Sequence, residues 1–139
     1  MSALSNVTSE ADLIQILTDS LNRVVAGRED YVYVYDRESD GTKCLYLLPN
    51  GEPSCLWGHV AIDLGIDRVL IESSEGGSAV GLIERALPIS ISTRSMRDVK
   101  KAITKSQVVQ DGTPHDQRSR GTWGHARDAF MFVLAQRAQ

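Results

Sequence analysis

Both tryptophans of this 139-residue chain, and two of its three histidines, fall in one triplet used twice, Trp57-Gly58-His59 and Trp123-Gly124-His125. Each triplet sits in the first turn or two of a predicted helix. An indole is bulky enough to need a place in the core, and a glycine beside it removes the Cβ that would hold another backbone away. The repeat therefore predicts two helix starts packed closely on the rest of the fold. The competing reading is chemical, with His59 and His125 converging on a shared site.

The patterns around the triplets are mostly helical. Ser9, with Asp12 three residues later, makes a capping-box-like start, after which Leu13, Ile14, Leu17, Leu21, Val24 and Val25 recur at helical spacing up to Gly27. This predicts an amphipathic helix over 9–26. Ser54 as cap and Gly65 as stop bracket a helix from Cys55 to Leu64. Ala79, Val80, Leu82, Ile83, Ala86 and Leu87 predict a short helix ending before Pro88. Ser95 with Asp98 opens another, in which Met96, Val99, Ala102, Ile103 and Val109 face one way and which Asp111-Gly112 closes. The last helix starts at Thr122 and carries Trp123, Ala126, Phe130, Val133 and Leu134 on one stripe.

One region reads differently. Tyr31-Val32-Tyr33-Val34-Tyr35 alternates two β-favouring side chains, Asp40-Gly41 offers turn chemistry, and Lys43 to Leu48 resumes an extended apolar pattern. The reading is a β-hairpin, stopped by the turn-rich Pro49-Asn50-Gly51-Glu52-Pro53. Val69-Leu70-Ile71 reads as a short third strand or a further turn of helix. The expected fold class is thus α+β, a β-hairpin packed with four to five α-helices in a single compact domain spanning 1–139.

Composition is ordinary for a globular chain, at 42% hydrophobic and 24% charged residues. No apolar run approaches the roughly 18 residues of a membrane span, and Met1 to Ser5 lack the features of a signal peptide. The expectation is a cytoplasmic protein with no membrane contact, whose two cysteines, Cys44 and Cys55, stay reduced as thiols. The net charge of −3 conceals a division. Residues 1–87 hold six Lys or Arg against fourteen acids, and residues 88–139 hold nine against four. Such a chain can dock its basic end on phosphates or on an acidic protein, or neutralise itself across the fold.

Candidate chemistry is sparse. Cys55 and His59, four residues apart, share a helix face, and a cysteine at a helix N-terminus gains thiolate character. That makes Cys55, His59 and His125 the candidate catalytic residues of a cysteine-dependent hydrolase or transferase. Adding Cys44 to Cys55, His59 and His125, or to His115, would assemble a zinc site, although the ten residues between the cysteines match no short ligand pair. Gly76-Gly77-Ser78 lacks the surroundings of a phosphate loop. Tyr31, Tyr33 and Tyr35 would project from one strand face as a contact surface, or as core if a helix covers them. Arg94, Arg97, Lys100, Lys101, Lys105, Arg118, Arg120 and Arg127 form a candidate basic patch for nucleic acid if the last two helices lie side by side.

The stretch from Lys43 to Val60, followed by Gln110-Asp111-Gly112 and then Trp123-Gly124, resembles small uncharacterised proteins of actinobacteria and their phages. In those, a cysteine-bearing strand leads through a turn into a Cys-Leu-x-Gly-His-like helix start, and a Gln-Asp-Gly segment precedes a Trp-Gly helix. The resemblance covers about a third of the chain, which differs from the pattern by inserting Thr113 to Gly121. It carries no site residue over. What it implies is a phage-type accessory product that acts in the host cytoplasm by binding a host component.

The leading expectation is accordingly a non-enzymatic accessory or regulatory protein with no cofactor, acting on a protein partner through the tyrosines or the basic C-terminal region. A nucleic-acid-binding protein using that region and a Cys55 enzyme are the alternatives, and a homo-oligomer is compatible with each.

Overall fold

Ser9 starts the first long helix, α1 (Glu10–Val25), by accepting the Asp12 N–H through its hydroxyl at 3.1 Å. Asp12 reaches back to the Thr8 N–H and hydroxyl, so both arms of a capping box are made, the second one residue earlier than usual. Leu13, Leu17, Leu21, Val24 and Val25 are buried as one stripe.

The computed structural model describes residues 2–33, 45–75, 77–88, 96–112 and 120–136. A short 3-10 helix (Ala3–Asn6) and α1 are followed by α2 (Leu56–Asp63), α3 (Arg68–Ser73), α4 (Ala79–Ala86), α5 (Arg97–Asp111) and α6 (Trp123–Gln136). No helix among the described residues is long and apolar enough to cross a membrane. α5 and α6 share the most extensive contact, and α1 packs against α2, α5 and α6. The core gathers Trp57, Trp123, Tyr46 and Phe130 among the leucines and isoleucines of every helix.

The α+β expectation is overturned: among the described residues there is no strand or sheet, and of the segments assigned to a β-hairpin the described parts, Tyr31 to Tyr33 and Leu45 to Leu48, are not strands. Their backbone groups have other partners. The Glu75 carboxylate accepts the N–H groups of Tyr46 and Leu47 at 2.8 and 3.1 Å. Tyr46 and Leu45 carbonyls accept the Ser54 and Cys55 N–H groups, and Leu47 makes one isolated antiparallel bridge with Pro53. On the other side, Glu29 and Tyr31 give their carbonyls to the Gly124 and Trp123 N–H groups at 2.9 and 2.8 Å, and the Arg120 guanidinium donates to the Tyr33 carbonyl. A ladder needs those same groups. Residues 34–44, which hold the expected turn together with Tyr35 and Cys44, lie outside the described residues. Val69, Leu70 and Ile71 belong to α3, so the third strand is absent too.

Three helix starts are completed from distant parts of the chain. Cys55, not Ser54, is the N-cap of α2 and offers no side-chain acceptor; instead Gln110 of α5 accepts the Leu56 N–H at 2.6 Å. Gln107, one turn earlier, accepts the Ala79 N–H of α4, whose own Ser78 caps Gly81. α5 begins after Met96, which gives no cap, and Glu10 of α1 takes the Val99 N–H. Since a buried unpaired N–H costs about 1–3 kcal/mol, these bonds tie the four helices into one unit. The expected glycine stops act as anticipated, Gly65 and Gly112 having φ of +76° and +70°.

The expectation of free thiols is also corrected. Cys55 is fully buried and disulfide-bonded, and among the described residues no cysteine is free. Composition speaks to the compartment alone, whereas bridging depends on which side chains the fold brings together.

Candidate binding groove

The two Trp-Gly-His triplets meet in the core but present different faces. Trp57 lies against Phe130 with ring centroids 6.1 Å apart, and its indole N–H donates to Ser106 at 3.1 Å. Trp123 is surrounded by the edge of Tyr31 at 4.7 Å, His59 at 5.1 Å and the Arg28 guanidinium at 5.1 Å from the ring centroid. Each glycine admits a neighbouring backbone: a Cβ at Gly58 would collide with the Tyr46 carbonyl, and one at Gly124 would come to 2.9 Å from the Glu29 carbonyl oxygen.

The histidines are not brought together as a reacting pair. His59 is half-buried beside Trp123; burial lowers its pKa below the ordinary value, and the positive Arg28 lowers it further. His125 is exposed. Two residues apart on a helix means about 200° of rotation, so His125 leaves α6 on the side opposite the buried Trp123. Cys55, buried and bridged, holds no thiolate for a nucleophilic attack. Among the described residues no three His, Cys, Asp or Glu side chains group as metal ligands, and Cys44 and His115 lie outside them.

The tyrosines do not share one exposed face. Tyr33 is 2% exposed with its hydroxyl paired to Ser54 at 2.8 Å, whereas Tyr31 is 43% exposed. Tyr46 is buried, donates to the Gly77 carbonyl at 2.6 Å, and burial pushes its pKa up to about 12. The basic residues divide as well. Arg120 is turned to the Tyr33 carbonyl, Arg127 pairs with the adjacent Asp128, and Lys100 faces Glu84 at 3.5 Å. Arg94 and Arg118 lie outside the described residues. Arg97, Lys101 and Lys105 remain exposed on α5, four residues apart, so they run down one edge of that helix.

That edge borders an open groove of about 830 Å³ beside α5, α6 and the first turn of α4. Val80, Val108, Phe132 and Val133 line it, with Lys101 and Lys105 at its side. Phe132 is 63% exposed and Val108 52%. Neither lysine has a carboxylate within ion-pair distance among the described residues.

The apolar half of this groove is what sequence reasoning missed. Phe132 falls off the stripe of Trp123, Ala126, Phe130, Val133 and Leu134, and an aromatic on the outer face of a helix was the available signal. Val80 gave none, because it sits within a pattern that reads as core, whereas Val108, like Phe132, falls off the stripe of its helix. Comparison of the chain with protein-family models, with curated proteins and with solved structures found no match, so the reading of the groove rests on its own geometry.

Proposed function

We propose that this is a non-enzymatic binding protein whose working surface is the groove between α5 and α6, and that it engages an acidic protein partner there. The observation that carries this is the exposure of Phe132 and Val108 beside Lys101 and Lys105, which have no ion pair among the described residues. An enclosed pocket buries most of a small ligand. Here Phe132 and Val108 are more than half open, which suits a partner's surface better. The cations favour acidic side chains at the rim, where charge selects the partner and speeds encounter. The host-directed accessory role implied by the resemblance to phage-type proteins is compatible with this mode of action.

The test is site-specific crosslinking in the cells that express the protein, with a photoreactive phenylalanine at position 132 or, on α3, at the equally open position 69. A partner captured from 132 and not from 69 is expected. Once identified and purified it should bind the wild type at least about tenfold more tightly than the Lys101→Glu/Lys105→Glu variant. Equal capture at both positions, or affinity indifferent to the lysines, rejects the proposal.

A further inference from the structure

Resting on that reading, we infer that the occupant of the groove is an amphipathic α-helix of the partner, with acidic residues one turn apart along one edge and aliphatic anchors on its inner face. Three features of the site lead to it.

The first is the backbone. A partner segment that binds as a strand needs an open sheet edge to pair with, and among the described residues there is no strand. What α5 and α6 offer is a trough between side chains, the form that receives a helix through anchors spaced at i, i+3 or i+4, and i+7. Val80, Val108 and Phe132 provide the apolar contacts for such anchors.

The second is spacing. Lys101 and Lys105 are one turn apart on α5, about 6 Å along its axis, and carboxylates at i and i+4 of a helix lying beside it repeat at the same interval. Two ion pairs then form without bending either element.

The third is the limited charge. Phosphate-led binding of nucleic acid draws on many cations at once, typically about 6–10 contacts. Among the described residues of the basic patch, Lys100, Arg120 and Arg127 are engaged within the chain, which leaves Arg97, Lys101 and Lys105 along α5 beside an apolar lining that phosphates cannot use.

The experiment is selection of a displayed library of random peptides of about 16 residues on the full-length protein, with binding of the enriched peptides measured by fluorescence anisotropy. The comparison proteins are Lys101→Glu/Lys105→Glu and Phe132→Asp, both surface changes whose folding is checked by thermal melting. Enriched peptides should carry acidic pairs at i, i+4 on an apolar helical period, become helical when bound, and lose at least about tenfold in affinity for either variant. Enriched peptides that lack acidic pairs or a helical period but still need Phe132 overturn the helix inference and leave the groove as the binding surface. Peptides that bind both variants as well as the wild type overturn the groove reading itself. Two further outcomes count against the inference: tight, lysine-dependent binding of a 20-nucleotide RNA in place of peptides, and self-association in light scattering that Phe132→Asp abolishes.

Discussion

The His59 imidazole stands edge-on to the Trp123 indole, with ring centroids 5.1 Å apart and planes inclined at 66°. It joins α2 to α6 at the point where the Arg28 guanidinium also lies over the indole. Burial, and then Arg28, disfavour the imidazolium, so the folded protein holds His59 below its ordinary pKa of 6.5. The unfolded chain takes up this proton more readily than the folded one, so the contribution to stability is complete above pH 6.5 and is lost as pH falls through the lowered folded value. Urea midpoints should drop between pH 7.5 and 5, and His59→Phe should flatten that part of the profile. An unchanged profile in the variant would show that the proton goes elsewhere.

Gly58 and Gly81 should respond in opposite directions to alanine. At Gly58 a Cβ meets the Tyr46 carbonyl, which is itself held by the Ser54 N–H, so the backbone must shift and Gly58→Ala should cost about 3 kcal/mol. At Gly81, within α4, the nearest atom is the Ser78 hydroxyl at an ordinary 3.5 Å. Gly81→Ala should therefore stabilise the protein by about 0.5–1 kcal/mol through helix propensity. Chemical denaturation of both variants checks the pair.

Gln110 is the distant cap of α2, and its orientation is set by its neighbour: its amide N–H donates to Asp111 at 2.9 Å while its oxygen accepts from Leu56. Gln110→Leu keeps the bulk and removes the acceptor. The expected loss is about 2 kcal/mol, accompanied by faster hydrogen exchange at the Leu56 amide. A loss of stability without faster exchange there would assign the effect to packing.

Cys55 should behave as a structural residue. Cys55 of the unreduced native protein should not react with iodoacetamide, and Cys55→Ser should lower stability by about 2–4 kcal/mol by removing the bridge. Rapid alkylation of the unreduced protein at Cys55 would revive the nucleophile reading.

The helices were legible because their signals are local. The Ser9 cap, the Leu13-Leu17-Leu21 stripe and the stops at Gly65 and Gly112 depend on residues within a few positions of one another. The close packing of the triplets could be read from Trp beside Gly, though not which carbonyls the glycines would face. The lysines of the groove were visible as charge, while their separation from Arg120, Arg127 and Lys100 required knowing which partners each one meets.

Sequence by itself determined where this chain can be helical, where the helices end and which residues must be buried, since helical period, capping and glycine's access to positive φ are properties of short segments. Only the tertiary structure decided that Tyr31 to Tyr33 and Leu45 to Leu48 would not be strands. Alternation makes a segment able to form a strand, but hydrogen bonding is a competition for each N–H and carbonyl. Here Glu75 and the first turn of α6 hold the groups that a ladder would need. The same holds for the groove: Phe132, Val108 and Lys101 are far apart in the chain or on different faces of their patterns, and packing of α5 against α6 makes them one surface.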